Sequence, residues 1–210
     1  MHEVNYIEVE QGSQEWLQSR LGKITASRAK DLMATVRYGE AAGYRNYKTE
    51  LAVERITGKR AERYVTKQME YGTETEGVAA TMYQLQTGNI ATVCGAFEID
   101  GSNVLASPDR LVGDDGLIEI KCRELANHVE SMLSDKVPDE YYKQIQFQLW
   151  VTNRQWCDYV SYGDEMPENA QLFIKRIERD EEVINEIIER VEQIEDDITK
   201  LIEAVQAYNS

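Results

Sequence analysis

Asp109, Glu119 and Lys121 are the residues whose types and spacing suit chemistry. In a strand, alternate side chains share a face, so Leu117, Glu119 and Lys121 point one way and Ile118, Ile120 and Cys122 the other. The apolar set enters the core, and Glu119 and Lys121 stand side by side at the strand end. Asp109 follows the segment 103–107 and comes just after Pro108, which stops pairing. A hairpin through Gly113 to Gly116 returns it beside Glu119. Two hard carboxylates with a lysine suit phosphodiester hydrolysis. The carboxylates hold one or two Mg²⁺ ions, which polarise a phosphate and lower the pKa of a bound water. The lysine orients or deprotonates that water and offsets charge in the transition state. The same three residues also read as a surface hairpin with a Glu–Lys pair worth little in stability, and spacing alone does not separate the two.

Two further groups extend the constellation. Glu76 lies on a helix over residues 73–86 and is placed to supply a third carboxylate from above the sheet; the other reading is a solvated helix position. On the helix over 139–152, Gln144 and Gln148 are four apart and share a face. Amides there suit a water, a metal-bound phosphate or a backbone, and for Gln146 and Gln148 a plain exposed polar face stays open.

The elements that position these residues follow from period and punctuation. After a strand from Val4 to Val9, Ser13 caps a helix, and Thr25 and Ser27 sit where a second helix begins, running to about Ala34. Residues 46–58 read as helical and stop at Gly58; the 73–86 helix is closed by Gly88. Segments 91–99, 103–107, 117–122, 156–162 and 171–177 are rich in β-formers and bounded by turn signals such as Asp100-Gly101. Ile184, Val191, Ile198 and Val205 fall at one heptad position, and Ile187, Ile194 and Leu201 at another, giving a long amphipathic helix. It packs on its own domain or on a neighbouring subunit. This order gives a single α/β or α+β domain over residues 1–210, with a core over about 10–178 and the helix over about 180–206.

At 210 residues the chain suits one sizeable core. No run of 18 apolar residues spans a membrane, and the N-terminus has neither the basic nor the apolar region of a signal peptide, so a cytoplasmic location is expected. Cys94, Cys122 and Cys157 are scattered, form no zinc signature, and read as small apolar filler at strand positions. The net charge of −15 argues at first against nucleic acid, but it is unevenly spread. Residues 1–70 carry 12 basic and 10 acidic side chains, whereas 180–210 carry 2 basic and 10 acidic.

The combination Glu15-Trp-Leu-x2-Arg20-Leu-Gly-x-Ile-Thr25-Ala-Ser27, Tyr71-Gly-x3-Glu76, Ser107-Pro-Asp109, Glu119-Ile-Lys121-Cys and Gln144-Ile-Gln-x3-Trp150-Val-Thr resembles the lambda-exonuclease-like (YqaJ-like) viral recombinases. These are a branch of the PD-(D/E)XK nucleases. The resemblance covers about residues 10–162, and it rests on five motifs in order. It implies a restriction-endonuclease-like α/β fold: a central mixed sheet flanked by helices, with a long C-terminal helix. It implies that Asp109, Glu119 and the carbonyl of Ile120 ligate metal, that Lys121 acts on the attacking water, that Glu76 holds a second metal or its waters, and that Gln144 orients the nucleophile. Arg20, Thr25 and Ser27 match the family's 5′-phosphate pocket, and Arg37 a further phosphate-contacting arginine. A guanidinium, hydroxyls and a helix N-terminus make a physically sensible anion site.

The implied activity is Mg²⁺-dependent 5′→3′ digestion of one strand of linear duplex DNA to 5′-mononucleotides, with two ions and with Mn²⁺ able to substitute. The implied assembly is a homotrimer ring, with a single-strand annealing recombinase as partner, in a bacterial or phage-infected cell. An acidic outer surface with basic residues lining the channel would reconcile such a ring with the charge of −15. The chain departs from the family's usual Ser-Pro-Asp-Gly, because Arg110 follows Asp109. An endonuclease on the same fold and a non-cleaving DNA-end-binding module are the competing readings.

Overall fold

The structure is a computed structural model that describes residues 2–60, 67–122 and 125–208, with residues 67–74 described by their backbone alone. In chain order the elements are β1 (Val4–Ile7), α1 (Gln14–Ser19), β2 (Ile24–Thr25), α2 (Ala29–Leu32), α3 (Ala42–Thr57), α4 (Lys67–Thr87), β3 (Ala91–Val93), β4 (Ala96–Ile99), β5 (Val104–Ala106), β6 (Arg110–Val112), β7 (Gly116–Cys122), α5 (Leu125–Ser134), α6 (Asp139–Thr152), β8 (Trp156–Tyr162), β9 (Leu172–Glu178) and α7 (Glu181–Gln206). Short 3₁₀ turns at Ala26–Arg28 and Glu168–Ala170 complete the described residues.

The α/β class expected from the sequence is present, with two mixed sheets in place of one. A four-stranded sheet runs in the order β1-β4-β5-β2, and a five-stranded sheet in the order β3-β6-β7-β8-β9. The predicted single strand over 91–99 divides at Cys94 and Gly95, so that β3 joins the larger sheet and β4 the smaller. Gly95 makes the division possible: a Cβ there would meet the Ile7 carbonyl oxygen at 2.2 Å, so only a residue without a side chain passes.

In the larger sheet β6 and β7 are antiparallel, while β7 and β8 are parallel and register Glu119 with Tyr159 and Lys121 with Ser161. A parallel pair needs a long crossover, and α5 and α6 supply it. The two faces of β7 are both covered, as its burial predicts for an interior strand. Ile118, Ile120 and Cys122 pack with Ala79, Ala80 and Tyr83 of α4, whereas Leu117 packs with Tyr141, Ile145 and Leu149 of α6.

Helix α6 also serves the second core. Its Phe147, Trp150 and Val151 pack with Val104 and Ala106 of β5, with α2 and α3, and with α7. It therefore lies between the two sheets, and Ile145 through Val151 are all buried. A helix buried all round must find partners for its polar side chains. Gln146 does so by donating to the Glu178 carbonyl at 2.9 Å and accepting from the Asp180 N–H at 2.9 Å. The exposed reading of Gln146 and Gln148 is thereby replaced by burial.

Helix α7 packs on its own chain, against α2, α3 and α6, through Ile184, Ile187, Val191, Ile194 and Ile198. The last heptad residues leave the core: Leu201 is half-buried and Val205 exposed. Asp180 caps the helix, accepting from the N–H groups of Glu182 and Val183. Helix α5 has no counterpart among the sequence-derived elements. The helix expected from Thr25 to Ala34 is instead strand β2, a 3₁₀ turn and the four residues of α2, because Ile24 and Thr25 pair in parallel with Val104 and Leu105. All three cysteines are free and buried; Cys122 and Cys157 lie in strands and Cys94 at the break after β3. Among the described residues, no helix is long and apolar enough to cross a membrane.

Candidate active site

The hairpin of β6 and β7 brings Asp109 and Glu119 together by register. Arg110 pairs with Ile118. Carried two residues further, the same register sets Asp109 opposite Glu119 and Pro108 opposite Ile120. Strand β6 starts only at Arg110, and the Asp109 carboxylate takes the ladder position instead, accepting from the Ile120 N–H at 2.6 Å. Pro108 has no N–H to offer the Ile120 carbonyl on that same edge. Two carboxylates and a backbone carbonyl thus converge where the antiparallel pairing ends.

Glu119 is almost fully buried and held on both oxygens. Gln144 donates to Oε1 at 2.6 Å and Gln148 to Oε2 at 2.7 Å, and the Lys121 ammonium pairs with Oε1. Lys121 also stands 5.1 Å from the centroid of the Tyr141 ring. Among the described residues, the buried Gln148 Oε1 atom has no hydrogen-bond partner. Burial pushes the Asp109 carboxyl well above the usual carboxylate range, and the negative charge of Glu119 adds to this; Lys121 and the Ile120 N–H act in the opposite sense. The arrangement therefore favours a positive charge between the carboxylates.

Glu76 comes to this centre from α4, which covers the sheet face of Ile118, Ile120 and Cys122, and its charge acts on Asp109. It accepts from Arg110 Nη1 at 2.6 Å, and the same nitrogen donates to the Asp109 carbonyl at 2.5 Å. Among the described residues, no three His, Cys, Asp or Glu side chains form a ready-made metal cluster. The donor set that fits a hard divalent cation is Asp109, Glu119 and the Ile120 carbonyl, all oxygen. Arg110, which sequence reasoning set aside as a departure, is the side chain that links Glu76 to the rest.

Of the second set of predicted residues, Arg20, Thr25 and Ser27 form one hydrogen-bonded cluster. Arg20 Nη2 donates to Ser27 Oγ at 2.8 Å, Thr25 Oγ1 lies 3.3 Å from Ser27 Oγ, and Arg20 Nη1 reaches Ser107 Oγ at 3.3 Å. The guanidinium stacks on Trp16 at 4.3 Å, and the indole N–H donates to the same Ser107 Oγ at 3.0 Å. No helix N-terminus contributes, since the Thr25 hydroxyl caps nothing and the following turn is 3₁₀. Arg37 lies on the exposed segment after α2, its guanidinium 5.4 Å from the Tyr38 ring, and among the described residues it shares no hydrogen bond with this cluster. Ser107 and Trp16 were legible only as members of their motifs. Ser107 is two residues from Asp109, so the cationic cluster and the carboxylate pair are joined through a single turn of chain.

Residues 15–155 match the family model of the YqaJ-like viral recombinase domain. The chain belongs to that family. The Tyr71 side chain of its second motif lies outside the described side chains. This YqaJ-like chain is similar to an alkaline exonuclease from Laribacter hongkongensis, at 42% identity and a TM-score of 0.85, covering 92% of this chain and 96% of that one. The crystal structure of the Laribacter enzyme in complex with dAMP gives a TM-score of 0.86 at the same identity and coverage. A phage-related exonuclease from Haemophilus somnus shares the fold at 16% identity and a TM-score of 0.70, covering 87% of this chain and 96% of that one. No curated protein matches the chain at a significant level.

Proposed function

We propose that this YqaJ-like protein is a Mg²⁺-dependent 5′→3′ exonuclease that degrades one strand of linear double-stranded DNA to 5′-mononucleotides, leaving a 3′ single-strand tail for recombination by strand annealing. The observation that carries the reading is Ser107. It accepts from Arg20 and Trp16 and lies two residues from Asp109. A 5′-terminal phosphate held by Arg20, Thr25, Ser27 and Ser107 would sit beside the carboxylates, and the first phosphodiester would fall on them. An endonuclease has no need of an end pocket, and a pure binder has no need of buried Glu119 with its lysine.

Asp109, Glu119 and the Ile120 carbonyl would hold the first ion. Bound Mg²⁺, or Mn²⁺ in its place, polarises the phosphate and supplies an acidified water. Lys121 orients that water or takes its proton, and offsets charge on the transition state. Gln144 orients the nucleophile, and together with Gln148 it fixes Glu119. Glu76 would hold a second ion if Arg110 released it, and Arg37 would add a phosphate contact further along the strand. The similarity to an enzyme described as an alkaline exonuclease, also solved with dAMP, supports this class of product. A homotrimer ring around the duplex and an annealing recombinase partner belong to the same reading.

The test compares 5′-phosphorylated linear duplex, 5′-hydroxyl duplex and closed circular DNA, with Mg²⁺ and with EDTA. Mononucleotide release from phosphorylated ends, dependent on Mg²⁺, is expected. Cutting of the circle overturns the exonuclease, and activity that survives EDTA or Asp109→Ala overturns the metal mechanism. Light scattering of the purified protein at the mass of a monomer, with and without DNA, overturns the ring.

A further inference from the structure

The C-terminal helix α7 matches no catalytic motif, yet it is tied by a short relay to the loop that carries Arg20. Arg20 closes α1, and the chain then turns through Leu21 and Gly22, with the Lys23 N–H donating to the Arg20 carbonyl at 3.1 Å. Gly22 has φ +68°, a left-handed conformation suited to glycine, and a Cβ there would meet the Arg55 side chain at 2.9 Å. Two consecutive residues of α3 hold this peptide from both sides. Buried Glu54 accepts from the Gly22 N–H at 2.8 Å, and Arg55 Nε donates to the Gly22 carbonyl at 2.8 Å. The rest of the Arg55 guanidinium forks onto α7, with Nη1 and Nη2 donating to the two oxygens of Glu195 at 2.6 and 2.8 Å. A bidentate pair of this kind fixes both the position and the plane of the guanidinium.

We infer that Glu54, Arg55 and Glu195 are positioning residues for the phosphate pocket: α3 grips Gly22, α7 fixes the gripping arginine, and together they set Arg20 at its distance from Thr25 and Ser27. The other side of the pocket is anchored to the same helix. The Thr25 N–H donates to the Tyr47 hydroxyl at 2.9 Å, and Tyr47 lies seven residues before Glu54, on the same face of α3. With Tyr47 holding Thr25 and the Glu54–Arg55 pair holding Gly22, α3 fixes the loop at both ends. The Gly22 end is tied onward to α7 by the Arg55–Glu195 fork, and through it α7 acts on recognition of the DNA end. This inference rests on the proposal that the Arg20 cluster takes a terminal phosphate.

The experiment measures kcat and KM on 5′-phosphorylated and 5′-hydroxyl duplexes for the wild type, Glu195→Ala, Glu195→Gln and Arg55→Lys, with melting temperatures beside them. A second readout is the affinity of each variant, placed in a Lys121→Ala background with EDTA, for the two duplexes by fluorescence anisotropy. In Glu195→Ala and Arg55→Lys, the preference for the phosphorylated end is expected to fall about tenfold, through KM and Kd with kcat nearly constant, because small misplacement of a binding group is costly. Glu195→Gln keeps one acceptor for the fork and is expected to recover much of the preference. If the wild type prefers the phosphorylated end and the folded variants keep that preference in full, the relay is only a structural contact and the inference is overturned. A wild type with no preference overturns the pocket itself. Arg55→Lys, which keeps the charge, decides between these outcomes if Glu195→Ala does not fold.

Discussion

Lys121 holds its ammonium between the Glu119 carboxylate and the face of Tyr141, so its charge is fixed on the side of the strand that faces α6. A lysine so placed can serve the attacking water only if Glu119 gives up part of its hold when a cation arrives. Lys121→Ala should therefore lower kcat by about 10²–10⁴-fold, the range of a positioned proton-transfer group, and leave binding of phosphorylated DNA ends in EDTA unchanged. Equal loss of binding would assign Lys121 to DNA contact instead. Arg110 makes a different demand. Its guanidinium pairs with Glu76 and bonds the Asp109 carbonyl, a cation standing where the proposed second ion would need a ligand. In Arg110→Ala the freed carboxylate should tighten binding of a second Mn²⁺, because the count of charged oxygen ligands sets affinity for a hard cation. Calorimetry on inactive Lys121→Ala protein reads the stoichiometry, and an unchanged titration would separate Arg110 from metal binding.

At the scale of elements, helix α7 offers two separable tests. Ile194 is fully buried where α7 meets α3, and Ile194→Ala should cost about 2–5 kcal/mol in a denaturant titration, the range for an emptied core site. Asp180 caps the same helix. The Tyr142 hydroxyl, and then the N–H groups of Val183 and Glu182, hold its carboxyl below the usual range. Because the folded pKa is the depressed one, this stabilisation is present above the unfolded value and is lost as pH falls through the folded value. Asp180→Ala should cost about 1 kcal/mol near neutrality. The gap in melting temperature should narrow below about pH 4, near the ordinary aspartate pKa. A gap independent of pH would mean that the lost cap is not carboxylate-borne.

Much of this scale was legible. Asp109, Glu119 and Lys121 follow from strand alternation and one hairpin, and the heptads gave α7 its buried face. What escaped is set by contacts distant in sequence. For Gln146 and Gln148 an exposed face stayed open because nothing local says that a second sheet covers α6. Glu54 and Arg55 carry no sequence signal because their partners, Gly22 and Glu195, are 32 and 140 residues away.

For the whole molecule the question is how a chain of net charge −15 engages a polyanion. Many of its cations are already neutralised: Lys23 pairs with Glu98, Arg28 with Asp31 and Glu50, Lys48 with Glu40, Arg55 with Glu195, and Arg176 with Asp158. The Arg55–Glu195 pair, inferred to brace the pocket, is engaged within the protein. In the proposed reading, attraction comes from a small site at the Arg20 cluster, with the field of the remaining surface opposing it. Each phosphate contact contributes about −0.9 to the slope of log K against log salt on duplex DNA, so a protein that grips an end through roughly three contacts should show a slope near −3. Anisotropy of phosphorylated duplex between 50 and 200 mM salt, in EDTA with Lys121→Ala protein, measures it in about the range where such slopes are well determined. A slope near −10, the value of an extended cationic groove, would contradict end recognition by a small pocket and would require basic surface that the paired cations do not supply.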